Sequence, residues 1–420
     1  MLFIKECKKV LFSLTFLVYF ITVLAMYFTQ FHSDGREALE RPVPGNSDYG
    51  MISKEVPEVM IPAAVESLVS EYLSGSFTAY PYGFIKHVKL KENKKMQLAG
   101  IISEVSGITV QELNSFEGFE HGGYIMDEDG SFLYKEPVIP EINIPENLTY
   151  EHFLELMKEA DRIIGGGSKY SDDYIVGNFS LVPQTYEDAL AEYEKFLNED
   201  KITGAYARLY CDYLGIDVAI LPVFVAVALA NLDRKSRMEQ LAYARKMSSA
   251  KLIFTRFIAL VAVMMIPVVL TAVIAGNMVN SLYSDYAVDS LAIYRTAAFW
   301  LVPNIMVASA VGMLITELSS GLLAIFAQGA WWFTSIFAST GGLIGSIGGF
   351  TLVMRHNSLM KYDVFYAQWD EIVFNRIFFA VTSIIAIALT AFIYEQKRRG
   401  IFNGFSIRIN LQNLKRKSKA

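Results

Sequence analysis

Cysteine is almost absent: Cys7 and Cys211 are the only two in 420 residues. Both lie outside residues 31–205, so that stretch has no internal disulfide and must fold by its core alone. A C-x-x-C pair, a His/Cys zinc spacing and an H-E-x-x-H are all missing, which removes the strongest sequence signals for redox, structural-metal and metalloprotease chemistry. The phosphate-loop pattern G-x-x-x-x-G-K-[ST] is missing too. Gly165-Gly166-Gly167-Ser168-Lys169 ends a helical pattern instead of opening one, and reads as a helix stop. The chain is therefore not expected to be an enzyme by itself, and no catalytic residue is assigned.

Charge is scarce as well. Charged residues make up 19% and apolar residues 53%, with mean hydropathy +0.32, where a soluble domain has about 25% charged and 45–50% apolar residues. This is the composition of a membrane protein. The charge is also unevenly placed: residues 31–205 hold 31 of the 43 acids but 14 of the 37 bases, a balance of −17, which leaves +11 for the rest. A polar, acidic domain interrupts an apolar, basic scaffold. Because the bases flank apolar runs, they orient a membrane protein and give no reason to expect nucleic acid.

A bilayer core of about 30 Å takes about 20 apolar residues in a helix. Runs of this kind predict six spans: Val10 to Gln30, Leu209 to Ala230, Leu252 to Ala275, Ile293 to Ile315, one starting near Leu322, and Ile377 to Tyr394. Lys5, Lys8 and Lys9 precede the first, and the run has no small-residue cleavage site, so it is expected to stay as an anchor with a cytoplasmic N-terminus. The loop 231–251 and the tail 396–420 are basic, whereas 276–291 holds no Lys or Arg. Both termini are thus expected inside a cytoplasmic membrane and 31–205 outside. The organisation expected is 1–30 for the N-terminus and first span, 31–205 for the external domain, 206–395 for spans two to six, and 396–420 for a cytoplasmic tail.

Leu322 to Met354 is too long for one crossing: 33 residues would run roughly 50 Å as helix. A break at Gly341, Gly342, Gly345, Gly348 and Gly349 predicts a re-entrant segment over 341–354, the alternative being a long tilted helix that packs on a neighbour through those glycines. Asp217, Asn304 and Gln328 are polar residues inside spans and therefore candidates for lining a path; the alternative for Asp217 is a snorkelling or helix-capping carboxylate near the interface, and interhelical bonding is the commoner use of an Asn or Gln.

For 31–205 the pattern predicts a largely helical α+β domain. Helices are expected over Pro57 to Leu73, Lys91 to Val105, Thr149 to Ile164 and Thr185 to Leu197, with Thr149 and Thr185 as N-terminal caps. Alternation around Asp127-Glu128-Asp129-Gly130 predicts a hairpin; Ile125 stands where a calcium loop would need its first carboxylate, and His121 reads as a turn residue, so no metal is expected.

In the loop 231–251, Met238, Leu241 and Ala242 would share one face of a short amphipathic helix, with Arg234, Arg237 and Arg245 on the polar side. Such a helix suits a groove on a soluble partner, and an ordinary basic loop on lipid headgroups is the plainer alternative. The run DRKSRMEQLAYARKMSSAKLIFTRF resembles the coupling loop of type-2 ATP-binding-cassette (ABC) export permeases. The six-span plan and LTYEHFLELMKEADRIIGGGSKYSDDY look like one branch of that family with an external insertion. The resemblance implies a permease subunit that pairs with a second permease chain, identical or homologous. A coupling helix over Arg234 to Tyr243, with Glu239 central, would then fit a separate ABC ATPase subunit, which carries the ATP and magnesium. Besides lipid, no further partner is implied. The little sequence before the first span departs from the family, whose members usually have an N-terminal interfacial helix; here such a helix would be at most Met1 to Lys9. A signalling or mechanotransmission protein whose external domain binds a ligand or cell-wall partner is the alternative.

Overall fold

The computed structural model describes residues 2–46, 48–80, 84–120, 122–126, 132–236, 238–244, 246–339 and 348–402. Among these, six helices are long and apolar enough to cross a bilayer: Leu14–Gly35, Thr203–Ala230, Ser249–Leu282, Ala292–Leu318, Gly321–Ala338 and Trp369–Arg398, here spans one to six. The chain divides into two compact units, Met1–Arg41 with Ala191–Ala420, and Pro42–Leu190.

Local chemistry moves several boundaries from where hydropathy put them. Val10 and Leu11 do not open span one; they end a separate helix, Leu2–Leu11. Ser13 makes the break, donating its hydroxyl to Val10 O (2.7 Å) and accepting from Phe16 N (3.2 Å) as the cap of the next helix. Span two starts at Thr203 instead of Leu209, and span six at Trp369 instead of Ile377, each taking in charged residues that a hydropathy run stops at. Span five begins one residue before the expected Leu322 and stops at Ala338.

Span two is not one helix but two, Thr203–Val218 and Pro222–Ala230. Pro222 has no N–H to give, and the turn before it is rewired. Ile220 N bonds Asp217 O instead of Ile216 O, and Val223 N bonds Ile220 O instead of Ala219 O. Span five satisfies the two carbonyls this frees: Trp332 Nε1 donates to Ile216 O at 2.9 Å and Gln328 Nε2 to Ala219 O at 2.6 Å. In lipid such orphaned carbonyls cost several kcal/mol each, so a kink there requires a neighbour with donors.

The unit Pro42–Leu190 is helical with short ladders. Its core joins helices Pro57–Ser74, Glu92–Ser106 and Tyr150–Ile164 through Val65, Leu68, Leu98, Ile102, Phe153 and Met157. Thr149 and Thr185 cap as expected, accepting from His152 N and Asp188 N. Gly165 stops the third helix. Gly107 ends the second at φ +73°, where a Cβ would sit 2.4 Å from Asn143 O, so only glycine fits. Antiparallel pairs join Met51–Ser53 to Leu181–Pro183, Phe77–Ala79 to Lys86–Val88, and Gly123–Met126 to Phe132–Lys135. The first of these brings the two ends of the unit together, which lets it stand as an insertion. The last is the expected hairpin; its turn, with Asp127 and Asp129, and His121 lie outside the described residues.

Candidate functional site

Beyond span five the described chain resumes at Gly348–Phe350, one turn of 3-10 helix, and continues without regular structure to Lys361. Gly341, Gly342 and Gly345 lie outside the described residues, while Gly349 abuts Phe374, which a Cβ would meet at 2.9 Å. The middle of this strap is buried: Leu352, Val353 and Met354 are each at most 1% exposed. Its backbone is held by side chains from three spans. Phe350 O accepts from Trp331 Nε1 (2.6 Å), Leu352 N donates to Ser335 Oγ (3.0 Å), and Leu352 O accepts from Asn304 Nδ2 (3.1 Å). Asn375 Nδ2 reaches both Gly349 O and Thr351 O at 3.0 Å. Non-helical backbone inside a helix bundle persists only when it is satisfied in this way.

The strap's holders are themselves fixed by a buried cation. Arg376 of span six is 2% exposed and donates to Trp300 O (2.9 Å), Asn304 Oδ1 (2.8 Å) and Asn375 Oδ1. Further along, Arg355 pairs with Asp212 of span two at 3.3 Å, and Asn357 N donates to the other oxygen of that carboxylate. His356 Nε2–H donates to Met360 O at 2.9 Å. Nearby, Arg208 forms a bidentate pair with Asp200, both buried, and lies over the Phe365 ring. Arg208, Asp212, Arg355, Asn375 and Arg376 form a polar layer that the hydropathy reading did not pick out.

The three polar residues singled out from sequence are separate among the described residues, with no hydrogen bond joining them. Asn304 and Gln328 are fully buried and donate to the backbone carbonyls named above. Asp217 is half-buried just before the kink, and its Oδ2 has no hydrogen-bond partner among the described residues.

At the end of the bundle that carries the termini, the loop 231–251 differs from expectation. It forms two short helices, Leu232–Lys235 and Glu239–Tyr243, not one helix over Arg234 to Tyr243. Ser236 turns its hydroxyl back onto Leu232 O (2.8 Å), and Met238 N closes on Asp233 O (2.9 Å), which ends the first helix. Arg237 and Arg245, with the side chains of Arg234 and Glu239, lie outside what is described. Met238 and Leu241 are 47% and 62% exposed. Tyr243 stacks edge-on against Tyr394, with centroids 5.4 Å apart.

The loop is fastened at several points. Asp233 accepts from Arg256 Nη2 of span three at 2.6 Å, and the same guanidinium reaches Glu6 of the N-terminal helix at 3.2 Å. From span six, Arg398 donates to Tyr243 O and Met247 O, both at 2.8 Å, and Glu395 accepts from Ser249 Oγ at 2.5 Å. Lys397 pairs with Glu317 of span four at 3.0 Å, joining two spans at the same level. These contacts join the loop to the ends of spans three and six, and Arg256 joins it to the N-terminal helix. Compared with protein-family models, with curated proteins and with solved structures, the chain matches none.

Proposed function

We propose that this chain is the membrane-spanning permease subunit of an ABC exporter. It works as a pair of permease chains, and a separate ATPase subunit supplies ATP hydrolysis. The observation that carries the reading is the loop 231–251: an exposed apolar pair, Met238 just before the short helix Glu239–Tyr243 and Leu241 within it, in a loop bound by side chains to spans three and six. A face exposed for docking and fastened to the bundle is what a coupling element requires, since closure of an ATPase must be turned into movement of spans. On this reading the termini are cytoplasmic and Pro42–Leu190 is outside, in keeping with the Lys/Arg distribution. The strap 348–357 re-enters from the outer side and forms part of the path wall, with Arg376 and Asp212 holding it.

The test is co-purification with the ATPase and ATP-dependent export. Met238→Asp and Leu241→Asp each place a charge in an apolar contact and are expected to abolish both, with membrane insertion unchanged; Glu239→Arg is expected to do the same. Full ATPase association by these variants would reject the assignment. Association without export of any substrate would select the signalling alternative instead.

A further inference from the structure

Two cavities lie in line on the outside of the bundle, in the angle between span one and the second half of span two. The larger, about 340 Å³, is lined by Leu14, Thr15, Val18, Tyr19, Leu221 and Phe224. A smaller one of about 70 Å³ lies between the N-terminal helix and the last turns of span two, towards the end that carries the termini, where Lys9, Ser13 and Leu232 take part in its wall. Two breaks already described frame this groove: the Ser13 cap, which bends the chain into span one, and the kink at Pro222. Tyr19 forms its floor, 1% exposed and tied through its hydroxyl to Met264 O at 2.8 Å. The side walls open outward, with Leu14, Val18 and Phe224 at 74%, 54% and 38% exposure.

We infer that this groove binds one anionic glycerophospholipid, an acyl chain in the apolar crevice and the phosphate headgroup at the lysines of the N-terminal helix. Three arguments commit it to that occupant. First, the walls belong to spans one and two, so what meets their exposed apolar side chains is the bilayer. Second, the length fits. From Leu232 to Leu221 is eleven residues, roughly 16 Å of helix, against about 15 Å for one leaflet of a 30 Å core. Third, basic charge is placed at one end only. The N-terminal helix carries Lys5, Lys8 and Lys9 against a single acid, Glu6, which is buried and shared between Lys9 and Arg256. The same helix exposes Phe3, Ile4 and Leu11, with Phe12 just beyond it, as expected of a segment lying at the headgroup level. A phosphate there meets bases, and a chain extending from it enters an apolar slot.

The inference does not depend on the permease reading. It is tested by native mass spectrometry on the full-length protein released from nanodiscs of phosphatidylglycerol or phosphatidylcholine with identical acyl chains. The wild-type protein is expected to retain one phosphatidylglycerol at least tenfold more often than one phosphatidylcholine. Val18→Trp, which fills the crevice from an exposed position, should lower retention of both lipids at least tenfold. Lys9→Gln should remove the preference between them. Ile385→Trp, at an exposed position of span six, should change nothing. Equal retention of the two lipids by the wild-type protein overturns the proposal without recourse to any variant. So does undiminished retention by Val18→Trp, and so does displacement of the lipid by millimolar glycerol phosphate, which would reduce the site to a headgroup contact.

Discussion

Replacing Arg256 with Met would test whether the loop 231–251 is truly fastened to the bundle. The guanidinium is 5% exposed and bridges Glu6, 1% exposed, to Asp233, 21% exposed, at 3.2 and 2.6 Å. Removing one member of a buried ion pair leaves the other charge uncompensated, at a cost of about 3–5 kcal/mol. Two features place this case at the lower end. Glu6 keeps Lys9 at 2.7 Å, and Asp233 is partly solvated. The expected loss is therefore about 3 kcal/mol, roughly 150-fold in the folded population. Removing the acid as well, with Glu6→Leu, replaces a charged pair by apolar contact, which is often neutral, so the double variant should regain about 2 kcal/mol relative to the sum of the singles. Unfolding free energies in mixed micelles measure all three variants. Arg256→Met within about 0.5 kcal/mol of wild type, the range of an inconsequential surface change, would refute the reasoning. Additive single and double variants would do so equally.

Other outcomes follow from particular contacts. Ile202 sits at φ 63° and ψ −63°, with Thr203 N bonded to Lys201 O across it, a backbone state that strains any side chain by about 1–3 kcal/mol. Ala keeps that strain and loses the buried side chain, whereas Gly loses the side chain but relaxes, so Ile202→Gly should unfold at higher denaturant than Ile202→Ala; the usual order, Ala above Gly, would reject this. A Cβ on Gly312 would meet Ala226 Cβ at 2.7 Å and Val223 O at 3.1 Å, so Gly312→Ala should push span four off span two and lower stability by about 1–3 kcal/mol. His152 is hydrogen-bonded to Glu104 at 2.7 Å, which raises its pKa, with Glu155 adding to the shift. Because the folded value lies above the unfolded one, the stabilising contribution is complete at pH below the ordinary imidazole range and is lost as pH rises through the raised value. The NMR titration midpoint of His152 should therefore lie above about 6.5 and fall in Glu104→Gln; an unchanged midpoint would exclude the pairing.

Six helices were legible in the sequence because runs of about 20 apolar residues have few other uses. Several of their ends were not, and for the starts of spans two and six the reason is the same. A hydropathy run stops at a charge, yet Arg208 and Arg376 lie inside helices that continue past them. Each is matched by groups outside the apolar run: Asp200 for Arg208, and Trp300 O, Asn304 and Asn375 for Arg376, the first two of these three on span four. A partner 76 residues away leaves no local trace. The caps Thr149 and Thr185 were readable for the opposite reason, since donor and acceptor lie three residues apart.

The polar layer and the strap account for each other. A segment without its own hydrogen-bond ladder cannot lie among helices unless side chains replace the ladder, and Trp331, Ser335, Asn304 and Asn375 each take one or two of its backbone groups. Asn304 and Asn375 can do so reliably only if their amides are held in one orientation, which Arg376 achieves by donating to both carbonyl oxygens and leaving both NH₂ groups for the strap. Arg376 therefore acts on the strap through two other residues, with no hydrogen bond of its own to the strap among the described residues. Lysine, a single point donor, could not hold both amides in the planar fork that the guanidinium provides. For that reason Arg376→Lys, though it keeps the charge, should loosen the strap nearly as much as Arg376→Met. Cysteine placed at Leu352, buried in the wild-type protein, should become reactive to a small thiol reagent in both variants and stay protected when Arg376 is intact. Protection retained in Arg376→Lys would mean that charge, and not the fork geometry, holds the layer together.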